Sequence, residues 1–125
     1  MLVVAEMGVF KVKARVWNPV ADAKEVVVEF VVDIGAIYSV LPANVLRELD
    51  VSSVRMVKLR LADNRILEKP LGEMGIEIEG YSASATPVIF GDEGVHLLGS
   101  VAMEQLGLAP DPVEKKLKPV EALLM

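Results

Sequence analysis

The sequence predicts a mainly β fold with one or two short helices, on three observations. Residues 9–17 put Lys11, Lys13 and Arg15 on one face and Phe10, Val12, Ala14 and Val16 on the other, the period-2 pattern of a half-buried strand. The same alternation returns over residues 54–61 and 73–79, where Ile76 and Ile78 oppose Glu77 and Glu79. Only residues 43–49 and 100–107 read as helices, and both are short.

Between these segments the punctuation is that of turns. Asn18-Pro19 and Ala21-Asp22 separate the first strand from a second over residues 24–32, and the two form a hairpin. The second strand is so rich in Val that burial on both faces is expected. Ser39-Val-Leu-Pro42 precedes the first helix, with Pro42 at its start. Ala62-Asp-Asn-Arg65 is a turn that suits Asn64 at positive φ. Residues 65–80 read as a hairpin with Pro70 and Gly72 in its middle. Residues 82–90 read as a strand in which Pro87 marks an edge or a bulge. Residues 91–95 are a loop. Ser100 is the expected N-cap of the second helix and Gly107 its C-terminal glycine. Residues 108–120 close as a hairpin around Asp111-Pro112.

With no repeat and no linker, residues 1–125 are expected to form a single domain. Apolar residues make up 53% of the sequence while aromatics make up 5%, and mean hydropathy is +0.45. That excess of aliphatic residues implies surface hidden by a partner as well as by the fold. The ends Leu2-Val-Val-Ala5 and Glu121-Ala-Leu-Leu-Met125 are apolar, and are expected to pair as strands or to pack on the core.

Composition also excludes functions. Without cysteine there is no disulfide, thiolate nucleophile or Cys-ligated zinc. No apolar run reaches the ~18 residues of a membrane span, and no secretory leader pattern is expected at the N-terminus. The composition fits a cytoplasmic protein. A net charge of −5 with scattered basic residues argues against a nucleic-acid surface. His96, the only histidine, is expected to be structural or at the surface. Glu25, Glu29, Glu77 and Glu79 have strand-face spacing and are expected to be solvated. Glu73, Asp92 and Glu93 have cation-binding side chains, but no spaced oxygen-ligand loop surrounds them. No metal and no cofactor are implied.

One carboxylate stands apart. Asp33 ends the Val-rich strand, starts a Gly-containing turn, and is flanked by Val31, Val32, Ile34 and Ile37. An ionised carboxylate in such a setting is costly unless it is paired or shares a proton. Either backbone N–H groups of the turn satisfy it, or its surroundings perturb it for chemistry.

Asp33-Ile-Gly-Ala36, then Ser39-Val-Leu-Pro42, then Leu97-Leu98-Gly99 ahead of a helix, resemble the retropepsin-like aspartic proteases. Leu61-Ala-Asp-Asn-Arg65, Pro70-Leu-Gly72 and Leu106-Gly-Leu-Ala-Pro-Asp-Pro112 are similar to small prokaryotic members. The resemblance implies a closed β-barrel, one lobe of a pepsin-type fold. It implies a C2 homodimer with the active site on its axis, Asp33 of each protomer being catalytic. Two carboxylates a few Å apart share a proton, supplying one base and one acid for hydrolysis of a peptide bond, and they titrate as a unit. Ile34, Gly35 and Ala36 would form the active-site loop, and Leu97, Leu98 and Gly99 its support. A hairpin at about residues 65–76, including Glu68, Lys69, Pro70, Leu71 and Gly72, would be the flap over an extended peptide substrate. The sequence departs at Ile34, where the family has Thr or Ser, whose hydroxyl ties the two loops together across the axis. The alternative implied by that departure is a dimerisation or peptide-binding module of the same fold without catalysis.

Overall fold

The computed structural model describes residues 10–21 and 24–121. The expected pairing of the apolar ends falls at residues 2–5 and 121–125, which apart from Glu121 lie outside the described residues.

Nine strands and two helices account for the described residues, so the fold is mainly β. β1 (Lys11–Trp17) and β2 (Glu25–Val32) form the expected antiparallel hairpin, with Lys11 opposite Val31 and Trp17 opposite Glu25. Burial follows the alternation, since Ala14 and Val16 are buried while Lys11, Lys13 and Arg15 are exposed. The exposed face is held by Arg15, which bonds Glu25 and Glu77 and lies 5.0 Å from the centroid of the Trp17 ring. Glu25 and Glu77 are thus engaged rather than simply solvated. β2 corrects its expectation: only one face is buried, through Val28, Phe30 and Val32, and Val27 is 65% exposed. A Val-rich strand is compatible with one wet face when its neighbour is antiparallel.

β3 (Ser39–Pro42) runs into α1 (Ala43–Glu48), whose buried anchor is Leu46. β4 (Arg55–Arg60) pairs antiparallel with β5 (Ile66–Ile78) around the turn at residues 61–65, where Asn64 has φ 74°. The expected hairpin over 65–80 is not formed. Those residues make one long strand in which Pro70 faces Met56 of β4. Pairing to β6 (Tyr81–Gly91) starts at Leu71, so Pro70 has no second neighbour to which it would need to donate an N–H. Gly72 reflects close packing, for a Cβ there would come within 2.9 Å of Val51. The true turn is Glu79-Gly80, both at positive φ, the two-residue connection that matches strand twist.

β6 lies inside the sheet between β5 and β3, not at an edge. Pro87 is accommodated because β3 pairs only from Val88 onward, and the ladder to β5 shifts register between Met74 and Ile76. β7 (Leu97–Leu98) is followed by α2 (Ser100–Leu106). Ser100 is the first helical residue and Gly99 the N-cap, correcting the expected cap; Gly107 closes the helix in the left-handed region. β8 (Leu108–Asp111) and β9 (Lys116–Pro119) form the expected terminal hairpin.

The main sheet has the order β1-β2-β7-β3-β6-β5-β4, and β1 also pairs with β5. Six strands therefore form a closed circuit of hydrogen-bonded neighbours, and β4 extends outward from β5. Phe30, Leu41, Leu46, Met74, Ile76 and Leu98 are fully buried in the main core. A smaller cluster of Val57, Leu71 and Ile89 lies under β4 and adjoins the site described next. Among the described residues no helix is long and apolar enough to cross a membrane.

Candidate active site

β2 delivers Asp33. β7 pairs parallel with the end of β2, Val31 opposite Leu97 and Val32 opposite Leu98, and antiparallel with β3 through Val40 and Leu97. The chain leaves β2, loops out over residues 33–38 and returns as β3, with β7 between the two strands. The Asp33 and Leu97-Leu98-Gly99 motifs, far apart in sequence, thus meet.

The 97–101 segment ties down the whole loop. The Asp33 N–H donates to the Leu98 carbonyl at 3.1 Å. The Ser100 N–H donates to the Ala36 carbonyl at 2.8 Å, and the Val101 N–H to the Ile37 carbonyl at 3.1 Å. Ser39, fully buried, accepts the Gly99 N–H on its Oγ at 3.0 Å. Gly99 is required by proximity, for a Cβ there would lie 2.5 Å from the Tyr38 carbonyl carbon. His96 contributes through its backbone carbonyl, which accepts the Val31 N–H at 2.9 Å. Its ring Nδ1 lies 3.2 Å from the Gly94 carbonyl.

Asp33 itself is half-buried. Its Oδ1 accepts the Gly35 N–H at 2.9 Å, so the turn backbone satisfies one carboxylate oxygen. A Cβ on Gly35 would stand only 3.3 Å from that oxygen. Among the described residues no other hydrogen bond or cation engages the carboxylate, so Oδ2 is available. Its apolar neighbours do not bury it: Ile34 is 71% and Ile37 64% exposed. The turn directs both outward, leaving an aliphatic surface around the carboxylate.

Beside the loop lies an open groove of about 360 Å³. Residues 35–38 form one wall and Lys58, Leu59 and Arg60 of β4 the other, with Val40 and Ile89 also lining it. The β4 residues were not among the sequence-derived candidates. The 54–61 alternation followed directly by a turn marks them as one strand of a hairpin, but carries no sign of a groove. Of the residues expected in the flap, Leu71 is buried beside Ile89, Glu68 is exposed and in register with Lys58, and Lys69 pairs with Asp92 at 3.2 Å. The hairpin tip is at residues 61–65, several residues earlier than expected. Among the described residues no three His, Cys, Asp or Glu side chains gather to hold a metal.

Neither a protein-family model nor a curated protein matches this chain.

Proposed function

We propose that this chain is a homodimeric aspartic endopeptidase of the retropepsin-like type, residues 1–125 forming its single domain. Two Asp33 carboxylates, one from each protomer, would activate one water. The observation that carries this reading is the bracing of the Asp33 loop. Its backbone is hydrogen-bonded to the 97–101 segment at Asp33, Ala36 and Ile37, while among the described residues one carboxylate oxygen has no partner. Such rigidity is what positioning a reacting group demands.

In the dimer the exposed Ile34 and Ile37 would be covered by their counterparts across the two-fold axis, removing apolar surface from water. The two carboxyl groups then hold one proton between them. The ionised one takes a proton from water as its oxygen attacks the peptide carbonyl carbon. The protonated one supplies the proton that the departing amine needs. The closed circuit of strands suits a one-lobe barrel, and the groove beside the loop suits an extended peptide. The β4–β5 hairpin, with Glu68, Lys69, Pro70, Leu71 and Gly72 in its second strand, is the proposed flap. The lack of cysteine suits a cytoplasmic enzyme.

Ile34 favours a second reading, a peptide-binding or dimerisation module, because it has no hydroxyl to tie the loops together. A peptide-library cleavage assay from pH 3 to 7, beside Asp33→Asn, separates the two. The proposed enzyme cleaves, and the variant loses at least about 10³-fold in rate. A wild-type dimer that cleaves nothing favours the module, and undiminished cleavage by the variant removes Asp33 from the chemistry.

A further inference from the structure

We infer that the groove beside the Asp33 loop selects extended peptides carrying an acidic side chain next to an apolar one. This deepens the proposed peptidase reading and rests on it. The groove has an apolar lining, Val40, Leu59 and Ile89, set against the buried Val57 and Leu71. That lining accepts an aliphatic or aromatic side chain. Among the described residues its charged lining is of one sign: Lys58 and Arg60 border it and no carboxylate does. The chain carries a net charge of −5, so this positive edge runs against the bulk of the molecule.

Among the described residues neither cation is in an ion pair. The Arg60 Nη1 donates to the Asn64 side-chain oxygen at 3.2 Å and to its carbonyl at 3.4 Å, neutral acceptors that hold the guanidinium in place and leave its charge. Lys58 is in register with Glu68, but among the described residues no ion pair joins them. A third cation of the same strand, Arg55, lies 3.5 Å from the hydroxyl of Tyr38, itself a lining residue. β4 has no acidic residue at all. On β4 the side chains of Lys58 and Arg60 stand on the face opposite Leu59, and in an extended peptide neighbouring side chains likewise point to opposite faces, so along β4 one can enter the apolar lining while the next meets Lys58 and Arg60.

The test uses Asp33→Asn protein, which binds without turnover, and fluorescein-labelled decapeptides that differ only in Glu, Gln or Lys next to a Leu. Fluorescence anisotropy is expected to show the Glu peptide binding about fivefold tighter than the Gln peptide, as exposed ion pairs allow. The preference shrinks at high salt. Adding Lys58→Glu and Arg60→Glu inverts the order in favour of the Lys peptide, and the milder Lys58→Gln and Arg60→Gln pair abolishes it. Equal affinity for all three peptides, or an order untouched by charge reversal, would overturn the inference. Charge-selective binding with no cleavage by the wild type rejects the peptidase and sustains the charge selection. Cleavage indifferent to the charged position does the reverse.

Discussion

Asp33 and Asp111 begin from the same local chemistry. Each sits at the end of a strand, and each accepts at 2.9 Å the N–H two residues on, from Gly35 and Val113 respectively. From there they diverge. Asp111 takes a second N–H from Glu114 at 3.0 Å and a lysine, Lys118, at 2.9 Å. Lys118, and then the Glu114 N–H, hold its carboxyl below the usual range. Its turn is stabilised by its own hairpin. The Asp33 turn is instead held by a segment some 65 residues away in sequence, and among the described residues nothing engages the second oxygen of its carboxylate. The one carboxylate is committed to structure; the other is held rigidly and kept available.

Removing the distant brace is the strongest way to break that contrast. Gly99→Ala puts a methyl group against the Tyr38 carbonyl and is expected to cost roughly 3 kcal/mol, the upper end for overpacking, in urea unfolding. A loss under about 0.5 kcal/mol would show that the 97–101 segment does not constrain the loop. Ser39→Ala leaves the buried Gly99 N–H without an acceptor, with an expected loss of about 1–3 kcal/mol. Ile34→Thr sharpens the comparison by supplying a hydroxyl at the loop tip. The account expects about fivefold tighter dimerisation by sedimentation, the worth of one net hydrogen bond. Unchanged association would remove Ile34 from the interface, and weaker association would show that its apolar contact outweighs the added hydroxyl.

The smallest effect belongs to the Asp111 turn and appears as a pH profile. Asp111 and Glu114 are held below their ordinary values of 3.8 and 4.5, chiefly by Lys118, so their contribution is present above those values and fades as pH falls through the lowered ones. Lys118 is pushed up to about 12 from 10.5 by Glu114 and then Asp111, so its contribution is complete below 10.5 and fades as pH rises through about 12. NMR shifts of β8 and β9 should stay constant from about pH 5 to about pH 10 and drift outside that window. Lys118→Met should raise the pH at which the acid drift begins.

Local patterns were legible in the sequence where neighbours in the chain decide them. The alternation of β1, the positive φ of Asn64 and the Asp111 hairpin all follow from short stretches. So did the two motifs that meet at Asp33. What the sequence hid depends on partners far along the chain. Pro70 and Gly72 suggest a turn, yet one stands where β5 has a single neighbour and the other where Val51 presses on the backbone. Val27 looks buried among valines and faces solvent, because β2 has only one covered face. The apolar flank of Asp33 misleads in the same way, since the turn directs Ile34 and Ile37 outward. Lys58 and Arg60 escaped notice because scattered cations on a strand acquire meaning only when a groove forms beside them.

Sharing of one active site by two Asp33 side chains is the central claim, and subunit mixing tests it most directly. Wild-type and Asp33→Asn protein are unfolded together, refolded as mixed dimers and assayed for peptide cleavage at constant total protein. If both carboxylates are needed, activity follows the square of the wild-type fraction, and an equimolar mixture retains about one quarter. Activity proportional to the wild-type fraction, about one half in that mixture, would mean that each Asp33 acts alone and would contradict the shared site.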